Sequence, residues 1–146
     1  MSDCIFCKII NQEIPSYKVY EDEDVYAFLD ISQVTKGHTL VVPKKHVENI
    51  FEFDDALAAS FFAKVPKIAR AIEKHDPTIK GLNILNNNGS FAYQSVFHSH
   101  IHLFPRYEDK SIDGFGIKWE THDEEYQQDD YQAVLTDITN ALEGEE

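Results

Sequence analysis

What is scarce in this 146-residue sequence closes off whole classes of protein. No apolar run approaches the roughly 20 residues a helix needs to cross a bilayer. Met1-Ser2-Asp3-Cys4 offers no basic stretch followed by a hydrophobic one, so a soluble, cytoplasmic protein is expected. Basic residues are half as numerous as acidic ones, 13 against 26, and the formal net charge is -13. Phosphate-rich surfaces repel such a chain at long range, which argues against nucleic acid or an anionic membrane as a partner. Cysteine is limited to Cys4 and Cys7. Without a secretion signal, a C-x-x-C pair points to metal binding or redox chemistry rather than to a structural disulfide. No internal repeat or low-complexity segment appears.

What is present suits one domain with a core of its own. Cys4, Cys7 and Ile10 are three apart, the spacing of a short helical turn with both sulfurs on one side. Residues 17–21 and 25–29 read as a strand pair across an acidic turn. Asp30-Ile31-Ser32 follows at the strand end, where binding groups gather. Gly37 punctuates the way to a β-rich run, residues 38–43, stopped by Pro43.

Between residues 54 and 75, Leu57, Phe61, Val65, Ile68, Ala69 and Ile72 keep the three-and-four spacing of an amphipathic helix. Asp54 or Asp55 is placed to cap it, and Pro66 should kink or split it. A strand at 82–85 runs into Asn86-Asn87-Asn88-Gly89-Ser90, either an ordinary turn or one that presents amides to an anion. Residues 107–122 look irregular. A last helix over 129–142 carries Tyr131, Val134, Leu135, Ile138 and Leu142 along one side. The expected class is α+β: an antiparallel sheet of about five strands with one long helix and a C-terminal helix. The chain reads as a single domain, 1–146, with its core in 4–106 and a C-terminal extension, 107–146.

Three of the seven histidines fall in Phe97-His98-Ser99-His100-Ile101-His102-Leu103-Phe104-Pro105-Arg106. Alternation by two is the period of a strand, which would set the three imidazoles on one face about 6.6 Å apart. A lone strand histidine is ordinarily a packing or surface residue. Three in register are costly to bury unless a ligand or ion uses them, because each ring has two nitrogens to satisfy. One metal cannot easily take all three from a straight strand, so a division of labour is expected. An asparagine-rich turn, Ser95 and Arg106 nearby suggest phosphorus chemistry, in which one imidazole attacks and a neighbour handles an oxygen or the leaving group.

The string from His98 to Phe104, preceded by Gln94-Ser95-Val96, resembles the signature of the histidine triad (HIT) family of nucleotide hydrolases and transferases. The similarity continues through Phe6-Cys7-Lys8-Ile9-Ile10, Ile14-Pro15, Leu29-Asp30-Ile31-Ser32, Gly37-His38 and Val41-Val42-Pro43-Lys44-Lys45-His46. The resemblance implies a HIT-like fold, a homodimer, and cleavage of phosphoramidate or phosphoanhydride bonds at the α-phosphate of a purine nucleotide. It assigns the nucleophile to His100 and the phosphate-facing ring to His102, with His98 and Ser95 completing the catalytic set. Phe6, Asp30, Ile31, Asn87, Gln94 and His38 would serve nucleotide binding, Asp30 at the ribose and Phe6 and Ile31 around the base. It further implies a structural zinc held by Cys4, Cys7, His46 and His98. Ser99 departs from the family by replacing the usual hydrophobic residue between the first two histidines, and Tyr93 by standing where glycine is common. Two other readings of the same residues are a metal-dependent hydrolase with a catalytic ion on the triad, and a nucleotide-binding or interaction module with incidental activity.

Overall fold

The three-residue spacing near the N-terminus does produce a helix, α1 (Ile5–Ile10), with Cys4 as its N-cap and Phe6 and Ile9 buried. The computed structural model describes residues 3–145. In it β1 (Lys18–Glu21) and β2 (Val25–Leu29) pair antiparallel. Their turn is held by Asp22, whose Oδ1 accepts the N–H groups of Asp24 and Val25, each at 2.8 Å. β3 (Thr39–Pro43) comes next and is buried throughout.

Asp54 caps α2 (Asp55–Phe62), accepting from the Leu57 N–H at 2.8 Å. Pro66 splits the long helix: α3 (Val65–His75) restarts with the proline in its first turn, where no backbone donor is needed. β4 (Gly81–Leu85) and β5 (Ile101–Arg106) complete a five-stranded antiparallel sheet in the order β1-β2-β3-β5-β4.

The period of two divides the sheet into two faces. Val25, Ala27, Val41, Ile101 and Leu103 pack on Phe61, Val65, Ile68 and Ile72 of α2 and α3. Tyr26, Phe28, Leu40 and Val42 pack on Phe6 and Ile9 of α1. His102 lies opposite Leu40, and so belongs to the α1 face.

Contact within the chain divides it into two units, Met1–Phe115 and Gly116–Glu146. Residues just beyond β5 are tied into the first: the Asp113 carboxylate accepts from Arg106 Nε at 2.9 Å and from the Tyr107 N–H at 2.8 Å. The second carries α4 (Gln128–Glu143), opened by a capping box between Gln127 and Asp130. Its stripe of Tyr131, Val134, Leu135, Ile138 and Leu142 is exposed. Among the described residues no helix is long and apolar enough to cross a membrane.

Candidate active site and thiolate–imidazole cluster

The histidine run is not a strand along its length. β5 begins only at Ile101; the last pairs on its two sides are Val41 with Ile101 and Leu85 with His102. His98 and His100 therefore precede the ladder, yet their rings both meet Phe6 on the α1 side, the side that His102 also takes. The His100 and His102 ring centres are 5.0 Å apart. Backbone anchors replace the ladder: Ser99 N–H donates to the Val47 carbonyl at 2.8 Å, and Asn86 Nδ2 donates to the His100 carbonyl at 2.9 Å. Phe6 from α1 meets both His98 and His100 edge-on, at 5.9 and 5.1 Å.

At the His98 end, Cys4 and Cys7 of the α1 turn meet His46, just past β3, and His98. Sγ of Cys4 is 3.5 Å from Nδ1 of His98. Sγ of Cys7 is 3.4 Å from Nδ1 of His46 and 3.6 Å from Nδ1 of His98, and the two nitrogens are 3.2 Å apart. A tetrahedral zinc with bonds of about 2.3 Å to sulfur and about 2.0 to 2.1 Å to nitrogen requires S···N edges of roughly 3.6 Å and an N···N edge of roughly 3.3 Å. The donor set fits that polyhedron. His98 Nε2 donates to the Pro43 carbonyl at 2.7 Å, which leaves the lone pair on Nδ1, the nitrogen facing the cluster. Burial, and then the neighbouring Cys4, push the Cys7 thiol up to about 11, so the pair would ionise together only with a cation between them. Two thiolates and two imidazoles would close a tetrahedral ion completely.

Hydrogen bonds also settle the protons on the other rings. The Val34 N–H donates to His38 Nδ1 at 3.3 Å, so His38 carries its proton on Nε2. That proton goes to His102 Nδ1 at 2.9 Å, which leaves the His102 proton on Nε2. His100 is the reverse case: its Nδ1–H donates to the His98 carbonyl at 2.8 Å and its Nε2 keeps a lone pair. Burial holds all three rings below the ordinary histidine value, His102 down to about 4 with help from His100 and His38, so they are neutral at neutral pH. Asp30, His38 and His102 also bring donor atoms within 4.8 Å of one another. With the proton of His38 on Nε2, however, that nitrogen has no lone pair to offer an ion.

His100 and His102 line a cavity of about 280 Å³ together with Phe6, Asp30, Ile31 and Ser95, over an apolar floor of Ile9, Phe28, Leu40 and Val96. This is close to the lower end of the range for small-molecule sites. A larger cavity, about 450 Å³, is walled by Val19, Leu29, Ala71 and Ile72, away from these rings.

Four expected site residues stand outside the histidine cavity. His98, expected to act in both the cluster and the reaction, is wholly buried with both nitrogens engaged, and reaches the site only through its carbonyl. Gln94 spends its amide on the Gly89 N–H and on the Glu48 and Val96 carbonyls, so it shapes the loop instead of facing a ligand. Asn87 approaches the Tyr93 carbonyl at 3.5 Å. His38 lies behind His102, with Phe104 against both rings, 4.2 Å from His38 and stacked on His102 at 5.4 Å. Sequence reasoning passed over Gln33 and gave Asn86 no part beyond the turn it opens. Asn86 was within reach of it, because the residue after β4 must fall beside the segment that enters β5.

One ring locked to a four-donor cluster, the next with a free lone pair and the third with an outward proton, on a five-stranded antiparallel α+β sheet, define a histidine triad protein. The chain belongs to the HIT domain family, whose model matches residues 11–109. It is 59% identical over 140 residues to Protein hit of Bacillus subtilis, across 96% of this chain and 94% of that protein. It is 37% identical over 121 residues to adenosine 5'-monophosphoramidase HNT1 of Candida albicans, across 81% of this chain and 78% of that protein. A crystal structure of a HIT family member from Bacillus subtilis matches with a TM-score of 0.90 at 59% identity, covering 94% of this chain and 96% of that one.

Proposed function

We propose that this protein is a nucleotide hydrolase or nucleotidyl transferase that cleaves phosphoramidate or phosphoanhydride bonds at the α-phosphate of a purine nucleotide, through a nucleotide covalently held on His100. The observation that carries this reading is the His100 ring: Nδ1–H is tied to the His98 carbonyl, and Nε2 keeps its lone pair at a cavity wall. An adenosine phosphoramidase among the relatives supports the substrate class.

The reaction follows from the proton positions. Nε2 of His100 attacks the α-phosphorus, and the bond to the leaving nitrogen or oxygen breaks with its electron pair. The ring gains positive charge, which the Nδ1–H bond to the His98 carbonyl eases. His102 Nε2–H and the Ser95 hydroxyl are the donors available to the phosphoryl oxygens and the departing group. Water then takes the nucleoside monophosphate, and Nε2 recovers its lone pair. Asp30 would accept the ribose hydroxyls, and Phe6 and Ile31 would flank the base.

Zinc in the Cys4, Cys7, His46 and His98 set would be structural, fixing α1 against the segment that enters β5. The redox alternative for the two cysteines is set aside on the imidazoles that complete the tetrahedron. We also read the protein as a homodimer: β4 is an edge strand, and its Ile84 and Leu85 are exposed apolar residues that a second copy would cover.

The test is turnover of a fluorogenic adenosine phosphoramidate by the wild type and by His100→Ala. Loss of several orders of magnitude is expected. Near-native turnover by the variant rejects the assignment, and tight nucleotide binding without turnover by the wild type favours a binding module.

A further inference from the structure

Asp30 and His38 stand at the two ends of the loop that joins β2 to β3, and one side chain between them closes it. Gln33 Nε2 donates to the Asp30 carbonyl at 2.5 Å and to the His38 carbonyl at 2.8 Å. Gln33 Oε1 accepts the Gly37 N–H at 2.7 Å. Gly37 has φ 95, a left-handed turn that brings the chain back toward β3. The Asp30 N–H adds a bond to the His38 carbonyl at 3.0 Å. Both amide protons of Gln33 are thus spent on the carbonyls of the two residues that carry site side chains. Gln33 itself is exposed and does not line the histidine cavity.

We infer that Gln33 is a positioning residue: its amide clamps the loop so that the Asp30 carboxylate faces the cavity while the His38 ring meets His102. The inference rests on the reading above, in which Asp30 takes the ribose and His100 reacts. Glutamine is the side chain this geometry demands, because the clamp needs two donors and an acceptor in one planar group. Glutamate at neutral pH has acceptors only, and would set a carboxylate oxygen against two carbonyl oxygens. Gln33 is exposed, so substituting it should disturb the site more than global stability.

The test compares wild type, Q33E, Q33A and D30A on an adenosine phosphoramidate and on its 2'-deoxy and 3'-deoxy analogues, with melting temperatures. Imidazole ¹⁵N spectra of the full chain report the His38 to His102 hydrogen bond separately. Displacing reacting groups by about 1 Å costs on the order of 100-fold, so Q33E should lose about 10- to 100-fold in kcat/KM. Its preference for the ribose substrate should shrink toward that of D30A, the His38 and His102 resonances should shift, and the melting temperature should stay within a few degrees of wild type. Q33E with the wild-type ribose preference and unshifted resonances overturns the inference. So does a fall in melting temperature that accounts for the activity lost. If D30A keeps the ribose preference, the ribose assignment of Asp30 is wrong, and the clamp is judged on the resonances alone.

Discussion

His38 donates its Nε2 proton to Nδ1 of His102 across 2.9 Å, and the direction of that bond is set from outside, because the Val34 N–H occupies His38 Nδ1. The consequence is a neutral His102 whose remaining proton is on Nε2, next to a His100 whose Nε2 has none. A donor and a nucleophile at one cavity are what nucleotidyl transfer to a histidine requires.

Replacing His38 by leucine removes the donor to His102 Nδ1 and frees the ring to change tautomer. A loss of about 10- to 100-fold in kcat, with a smaller change in KM, is the expected result, in keeping with general acid–base and orienting contributions. Steady-state kinetics on a phosphoramidate check it, and unchanged kcat would place His38 outside the mechanism.

The pH dependence has a definite sign. His102 is held down to about 4 by burial and by His100 and His38, below the ordinary histidine value near 6.5. As pH falls from about 6.5 towards 4, the unfolded chain takes up protons that the native ring refuses, so stability falls with pH over that window. Asp22 adds to the loss further into acid. Burial alone would raise its carboxyl, but bonds from Lys64, Tyr20 and the Asp24 and Val25 N–H groups outweigh that and hold it well below the usual range. That stabilisation is present above about 3.9 and is lost as pH drops below it. Urea midpoints between pH 8 and pH 3.5 should decline monotonically; a flat profile between 6.5 and 4.5 would contradict the neutral His102.

Metal removal should act through structure. The account predicts one zinc per chain by elemental analysis and, in His46→Ala, loss of the metal with a lowered melting temperature. Activity should decline together with the ordering of α1. Immediate loss of chemistry on chelation with the fold intact would instead indicate a catalytic ion.

Tyr93 has φ 72, the left-handed region, and the residue is 87% exposed, so little packing offsets the backbone cost. That conformation costs a side-chain-bearing residue about 1 to 2 kcal/mol. Tyr93→Gly should therefore raise the melting temperature slightly, and a clear drop would mean that the ring makes a contact this account does not include.

How much of this was legible in the sequence depends on which interaction decides each feature. The strand pairs, the cap at Asp54 and the break at Pro66 were legible because they depend on local chemistry. The start of β5 was not: alternation predicts extension from His98, but pairing ends at Ile101 on one side and His102 on the other. The four-donor cluster was indicated only by the family resemblance, since the residues alone point no further than a C-x-x-C pair, while the separation of His98 from the cavity depends on a bond to Pro43, distant in sequence. Gln33 left no trace in pattern or composition because its partners are backbone groups.

The most direct test is to quench the wild type during turnover of an adenosine phosphoramidate and locate any adenylyl group by mass spectrometry under conditions that preserve phosphohistidine. The account predicts the adduct on the peptide that contains His100, at that residue, and none in His100→Ala. Full turnover by the wild type without an adduct, or an adduct on another residue, would contradict it.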